Sequence, residues 1–227
     1  MKFKHLKLYT SQLNSEKVFY TQTLGLPLLT ESQDAFTVQV GWSSLTFQAS
    51  EKPHQYHYCF LIPSNKLEEA MTWIEQRTPV LIDKQGVKIH DFVSWNAKAF
   101  YFYDASGSIA ECIVRYDLNY TTQAPFDASQ LLCVNEIGLP TQDIGKTNQF
   151  LYEQLGTQLW RGDFEWFGVH GSQEALFLLP NYLLKPNWYP LDRAITLEPF
   201  TAIVETQEKL YEVSFNQEEL LKVSPFE

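Results

Sequence analysis

The chain has 227 residues, 44% hydrophobic and 15% aromatic, which is enough to bury a core in one large domain or two small ones. Its formal net charge is −10 and its 17 Lys and Arg residues are scattered, which excludes a basic surface for nucleic acid. No apolar run reaches the length of a membrane span, and none follows the two early lysines as in a signal peptide. We expect a globular protein without a membrane partner.

The three cysteines, Cys59, Cys112 and Cys133, form an odd set without CxxC spacing. Cys59 and Cys112 fall within runs that read as strands. Cysteines of this kind are typical of small buried side chains in a reducing compartment. The sequence therefore predicts a cytoplasmic protein without disulfides.

The first third of the chain has the order strand, helix, paired strands. The predicted elements are a strand (3–9), a helix (14–24) and two further strands (35–40 and 43–49). Asn14 or Ser15 can cap the helix, and Gly25 can end it. Gly41 and Trp42 supply the turn between the paired strands.

The same order returns in the second module. The predicted elements are a strand (56–62), an amphipathic helix (66–77) and strands at about 80–82, 87–93, 98–103 and 109–115. Asn65 and Glu68 have the spacing of a capping box at the start of the helix. The last two strands, joined by a turn at 104–107, predict an antiparallel hairpin.

One carboxylate interrupts the apolar face of this hairpin. Glu111 lies two positions from both Ile109 and Ile113, so all three share one face of the strand. An unpaired charge on a buried face is costly. Glu111 therefore requires a partner from elsewhere in the chain, unless it pairs at the surface with Lys4, Lys7 or Arg115.

After a polar connector, the first module is repeated with an offset of 131 residues. Leu8, Thr10, Phe19, Leu24 and Gly25 fall on Leu139, Thr141, Phe150, Leu155 and Gly156. A fourth module is reduced to a closing hairpin, and the last dozen residues read as a polar tail or short helix. The predicted fold is α+β: tandem βαβββ modules whose mixed sheet curls into a cup. Residues 1–118 pair two modules, and 131–227 hold the third with the vestige of the fourth.

Two histidines occupy equivalent positions in the first two modules. His5 lies in the first strand of module one and His57 in the first strand of module two. If these modules pair about a pseudo-twofold axis, the two imidazoles come together near Glu111. Two histidines and one carboxylate form the facial triad that suits iron(II) or a similar divalent ion.

These residues resemble the vicinal oxygen chelate superfamily, which includes glyoxalase I, fosfomycin-resistance transferases, extradiol dioxygenases and bleomycin-binding proteins. The resemblance rests on HLKLYTSQL and FYTQTLGL in module one, and on YHYCFLIP and FYFYDASGSIAECI in module two. The last segment matches the family's closing hairpin, aromatic–x–D–x–x–G–x–x–x–E. The resemblance implies that His5, His57 and Glu111 bind a divalent metal, with Fe²⁺ favoured over Mn²⁺, Zn²⁺ or Ni²⁺.

Within this family, the resemblance favours an extradiol, catechol-type ring-cleaving dioxygenase. Glyoxalase I has a fourth, glutamate ligand where this chain offers only Ser44, Thr46 or Gln48. Tyr101, ten residues before the glutamate, matches a tyrosine of the dioxygenases, and His90 is a further catalytic candidate beside the less well placed His54. The alternatives are a non-redox lyase or transferase on the same ligands, and a metal-free small-molecule binder that can dimerise.

Aromatic residues predict the walls of a pocket for a small planar substrate. The candidate pocket residues are Phe36, Trp42, Thr46, Gln48 and Trp95. Trp188 and Tyr189 are expected to hold the Pro-rich connector on the sheet. The second half places Glu136 at the position of His5, with His170, Glu174 and Glu212 elsewhere. No histidine occupies a first-strand position there, so this half is expected to be structural or a lid.

Overall fold

A computed structural model of the chain describes residues 1–226, and its first module has the predicted order. The elements are β1 (Lys2–Thr10), α1 (Leu13–Val18), β2 (Leu28–Glu31), β3 (Ala35–Val40) and β4 (Ser43–Ala49). Helix α1 continues as a π-helical turn over Phe19–Thr23, and Gly25 follows with φ +74°. Gln12 precedes α1 without a side-chain cap, so the predicted caps are not used.

The second module is also present, with a shorter middle section than predicted. The elements are β5 (His57–Leu61), α2 (Leu67–Glu75), β6 (His90–Phe92), β7 (Ala97–Tyr103) and β8 (Ile109–Arg115). The predicted strand near residue 80 is reduced to one bridge between Val80 and Phe102. Asn65 bonds to the backbone of Thr122 instead of capping α2, because the connector after β8 returns past this helix.

The third module is a complete βαβββ unit. The elements are β9 (Cys133–Gly138), α3 (Ile144–Leu155), β10 (Leu159–Gly162), β11 (Phe167–Ser172) and β12 (Ala175–Pro180). Asp143 caps α3 by accepting from the Lys146 amide, and Gly156 ends it in the left-handed conformation. The repeat at an offset of 131 therefore marks a real duplication of structure.

The fourth module is a three-stranded meander. A connector carries the small pair β13 (Asn187–Trp188) and β14 (Arg193–Ala194), followed by β15 (Phe200–Thr206), β16 (Lys209–Phe215) and β17 (Leu221–Pro225). The predicted hairpin is β15–β16, but β15 pairs antiparallel with β1 and so takes the place of a first strand. The predicted polar tail contains β17, which extends the same sheet.

The strands form two large sheets whose pairing differs from the predicted one. The first sheet has the order β17-β16-β15-β1-β4-β3-β2, and the second β10-β11-β12-β9-β5-β8-β7-β6. Module one thus joins the fourth module, and module two joins module three through the antiparallel pair β5–β9. Residues 1–118 are shared between both sheets, so the expected pairing of modules one and two within this range does not occur.

The main core lies between the two sheets, and a second apolar cluster lines the other face of the eight-stranded sheet. Phe100, Phe102 and Cys112 point into the main core, whereas Tyr101 and Ile113 belong to the second cluster. This division follows the period-2 alternation along β7 and β8. All three cysteines are buried free thiols, as predicted. Within residues 1–226, no helix is long and apolar enough to cross a membrane.

A close backbone approach joins the two sheets at Gly41. The Trp42 amide donates to the Leu132 carbonyl at 3.0 Å. Gly41 has φ +52°, and a Cβ added there would lie 1.8 Å from the Leu132 carbonyl oxygen. Only glycine fits this position, because it lacks the Cβ and tolerates positive φ.

Candidate metal centre and aromatic cavity

A row of side chains crosses the concave face of the eight-stranded sheet. The register pairs Tyr101 of β7 with Glu111 of β8, and Glu111 with Cys59 of β5. Cys59 in turn lies opposite Glu136 of β9. Since paired residues point to the same face, Glu111 and Glu136 both project into the cup.

His57 completes a buried cluster with these two carboxylates. One potential ligand atom from each of His57, Glu111 and Glu136 lies within 4.8 Å of the others. His57 Nε2 and Glu111 Oε2 share a hydrogen bond of 3.1 Å, while His57 Nδ1 is buried without a partner among residues 1–226. Three donors of these types in one small volume form a candidate site for a divalent ion.

Burial disfavours the charged form of every member of the cluster. Desolvation raises the pKa of Glu111 to about 8, although Arg115 and the Tyr101 hydroxyl oppose the shift. The pKa of Glu136 rises to about 7, first through burial and then through the nearby Glu111. Burial lowers the pKa of His57 to about 4, so the imidazole is neutral at pH 7 and free to ligate.

Arg115 is the buried counter-charge of Glu136. Its Nη2 donates to Glu136 Oε1, and its Nε donates to Asn135 Oδ1 at 3.0 Å. The guanidinium lies 5.8 Å from the ring centroid of Trp95 and 5.2 Å from that of Trp160. This ion pair holds Glu136 against the sheet and explains how two carboxylates can be buried close together.

The cluster forms the floor of an aromatic cavity of about 300 Å³. Its remaining lining residues are Phe92, Trp95, Tyr101, Trp166, Phe167, Leu178, Lys185, Trp188 and Tyr189. The ring centroid of Trp188 lies 4.8 Å from that of His57. A Cβ on Gly138 would come within 2.7 Å of the Trp188 ring, so the glycine makes room for this side chain.

Tyr189 and His90 form the polar part of the wall. His90 Nδ1 and the Tyr189 hydroxyl share a hydrogen bond of 2.7 Å. The His90 ring also lies against Tyr101, with centroids 5.3 Å apart. His90 does not line the cavity itself, so its predicted catalytic position is replaced by a place behind the wall. The two connector residues lie over the cup, where the sequence predicted them to hold the connector.

The pseudo-twofold relation of modules two and three shows what occupies a fourth ligand position. Tyr58 pairs with Ile137 at the centre of β5–β9, which makes Glu136 the equivalent of His57. Glu111 lies opposite Cys59 on β5, and Leu178 lies opposite the equivalent Gly138 on β9. The symmetry-related site of Glu111 is therefore apolar, and the donor set stops at three.

Several predicted site residues lie outside this cup because module one belongs to the other sheet. His5 bonds to Ser44 Oγ at 2.7 Å on β1, in a separate cleft with Glu212. It shares no site with His57, and this corrects the expected pair of histidines. The predicted pocket residues that also lie elsewhere are Phe36, Trp42, Thr46 and Gln48. Phe36 is in the main core, and Gln48 is bonded to Asp34. Tyr101 and Trp95 line the cavity as expected.

The member that sequence reasoning left out of the site is Glu136. Its signal was present, because Glu136 lies 131 residues after His5 and so occupies a first-strand position. Lys185 gave no comparable signal in the connector. The remaining histidines of the second half and the loops have structural partners: His170 bonds to Thr157 and Asn148, and His54 to Ser50 and Glu198.

No protein-family model matches the sequence, and no match is found among curated proteins. Among solved structures, glyoxalase I from Zea mays is 11% identical with a TM-score of 0.57, covering 98% of this chain and 91% of that one. Its V278E mutant gives 10% and the same TM-score and coverage. Lactoylglutathione lyase from Agrobacterium tumefaciens is 17% identical over 52% of this chain and 96% of that one, with a TM-score of 0.43. The full-length likeness shows that the chain has the vicinal oxygen chelate fold.

Proposed function

We propose that the protein is a divalent-metal enzyme acting on a small oxygen-chelating substrate. The observation that carries this proposal is the buried cluster of His57, Glu111 and Glu136 at the floor of an aromatic cavity. Buried carboxylates without enough cationic partners are costly, and Arg115 can offset only one of them. A divalent ion would offset the second charge.

The donor set fits such an ion. His57 offers a neutral imidazole and the two glutamates offer oxygen ligands, a combination that suits Mn²⁺, Fe²⁺, Zn²⁺ or Ni²⁺. With three protein ligands and Leu178 in the fourth position, room remains for substrate oxygens. A bound ion would act as a Lewis acid on those oxygens.

We favour a non-redox reaction in which a proton moves on the bound substrate. Glu111 and Glu136 lie on the same side of the cavity, where either carboxyl group can take a proton or return it. Trp188 covers His57 and reduces the access of water. The set of two histidines and one carboxylate, on which the dioxygenase prediction rested, loses His5 to the other sheet.

Ring cleavage by a dioxygenase remains the second candidate. Tyr101 lies directly opposite Glu111 and lines the cavity, as the comparison with that class requires. The aromatic walls also suit a planar catechol.

Metal analysis of untagged protein tests the proposal. We expect about one divalent ion per chain, lost in His57→Ala and retained in the matched control His5→Ala, whose side chain lies in the other sheet. Wild-type protein without stoichiometric metal after exposure to all four ions would overturn the proposal. Exchange of a substrate C–H proton with deuterated solvent then favours proton transfer, whereas oxygen consumption with catechols favours ring cleavage.

A further inference from the structure

Lys185 is the one cationic side chain that lines the cavity within residues 1–226. It lies in the connector, where its amide donates to the Asn181 carbonyl at 2.7 Å. Its ammonium group donates to the Asn187 carbonyl at 2.6 Å and lies 5.8 Å from the Phe167 ring centroid. The side chain is therefore fixed at both ends above the cup.

This ammonium group has no acidic partner. Among the described residues, no carboxylate oxygen lies within 4.0 Å of Lys185 Nζ, whereas Arg115 is paired with Glu136. Burial lowers the pKa of Lys185, which reflects the cost of holding the charge partly out of water. One backbone carbonyl leaves two of its three N–H donors to be satisfied by other groups.

The surroundings restrict what kind of group can satisfy these donors. The walls near the ammonium group are aromatic, and the cavity volume of about 300 Å³ is at the small end for ligand sites. A ligand that fills this space is a single ring or a compact apolar body. An anionic group on such a ligand would gain a charge-assisted hydrogen bond in a partly desolvated site.

We infer that Lys185 binds the carboxylate of a small aromatic acid whose oxygens also reach the His57, Glu111 and Glu136 cluster. This substrate class rests on the proposed function for the second contact, but not for the first. The lysine and the cluster line the same cavity, so one small molecule can contact both. Lys185 is thus a substrate-binding residue that selects anionic over neutral ligands.

Two probe molecules separate the charge from the shape of the ligand. Salicylate and salicylamide share the ring and the hydroxyl group, and only the first carries a negative charge at pH 6.5. Calorimetric titrations at low ionic strength use protein stripped of metal with EDTA. We expect wild-type protein to bind salicylate at least about tenfold more tightly than salicylamide.

Variants of lysine assign this preference to one side chain. Lys185→Met is expected to abolish it and Lys185→Arg to retain it. Lys146→Met, which removes an exposed lysine on α3, is expected to leave it unchanged. Retained preference in Lys185→Met, or no binding of salicylate to wild-type protein, would overturn the inference.

The same variants keep this inference distinct from the proposed function. Lys185→Met is expected to retain the metal content of wild-type protein, because Lys185 is not part of the ligand cluster. If the wild-type protein binds no metal yet prefers salicylate through Lys185, the anion site stands and the metal enzyme does not. If it binds metal without that preference, the reverse holds.

Discussion

At the scale of single residues, the site depends on how the chain makes buried carboxylates tolerable. Glu136 is 1% exposed and paired with the equally buried Arg115. Glu111 is 3% exposed and has only a neutral imidazole within hydrogen-bond distance. The difference identifies Glu111 as the group with an unmet need for a cation, and Glu136 as the ligand that already has one.

Glu136→Gln is expected to weaken divalent-metal affinity at least about tenfold, because an amide oxygen is a poorer ligand than a carboxylate. Calorimetric titration with Mn²⁺ and Zn²⁺ measures this change. Glu212→Gln is the matched control, since Glu212 lies in the other sheet beside His5. Equal losses in both variants would contradict the assignment of Glu136 as a ligand.

A second buried acid makes a prediction about pH. Glu16 is fully buried; its Oε1 accepts from the Ser106 amide at 2.8 Å and its Oε2 has no partner within residues 1–226. Burial, and then the nearby Asp104, raise the pKa of Glu16 from 4.5 to about 8. Because the folded state favours the protonated acid, its stabilising contribution is complete below pH 4.5 and is lost as the pH rises to about 8.

Replacing this acid is expected to flatten part of the pH dependence. In Glu16→Gln, the free energy of unfolding should fall less between pH 5 and pH 8 than in wild type, by up to about 1.4 kcal/mol per pH unit. Urea titrations at several pH values measure it, with the exposed Glu68→Gln on α2 as control. A wild-type slope in Glu16→Gln would contradict the buried, protonated state.

At the scale of elements, the connector between β12 and β15 turns an open sheet face into a cavity. It is attached at three points along its length. Trp188 packs on Gly138, Arg193 donates to the Gly107 carbonyl, and Glu198 bonds to His54 at 2.7 Å. The connector also brings Lys185 to the cavity. Its composition predicted a loop, but only these contacts make it part of the site.

Gly138→Ala tests the contact between connector and sheet. The new Cβ would lie 2.7 Å from the Trp188 ring and must displace it, so we expect a loss of about 1–3 kcal/mol in stability. Tryptophan emission should shift to longer wavelength as the ring becomes more exposed. Gly145→Ala, in the first turn of α3, has its nearest neighbour at 3.4 Å and should show neither effect. A shift in both variants, or in neither, would count against the packing role.

At the scale of the whole molecule, each sheet is completed by a module from the other half of the chain. The antiparallel pairs β1–β15 and β5–β9 are the two seams. Residues 1–118 by themselves would leave both β1 and β5 with an open edge and would expose the core between the sheets. One chain supplies all the strands of both sheets, so neither sheet needs a second copy to be complete.

This arrangement predicts the behaviour of the two halves. Residues 1–118 alone should lack a cooperative thermal transition by circular dichroism, while co-expression with residues 119–227 should give a complex with the wild-type transition. The reason is that the strand pairing across both seams is recovered only when both halves are present. A stable, cooperatively folded 1–118 fragment would contradict the importance of the seams.

The sequence by itself determined the modules and their faces. Strand alternation placed Glu111 with Ile109 and Ile113, and the offset of 131 residues placed a third module and marked Glu136 as a first-strand residue. These features depend on local periodicity and on internal comparison, which need no knowledge of distant contacts. The βαβββ order and the absence of disulfides followed from the same kind of observation.

Only the tertiary structure decided which modules share a sheet, and with that the identity of the site. Each first strand offers the same edge of backbone donors and acceptors, so pairing module one with two and pairing module two with three satisfy the same local pattern. The observed pairing moves His5 away, brings Glu136 to His57 and Glu111, and leaves Lys185 facing the cavity. The physical reason is that strand pairing and connector packing are long-range choices, and the periodicity of the sequence is the same for either outcome.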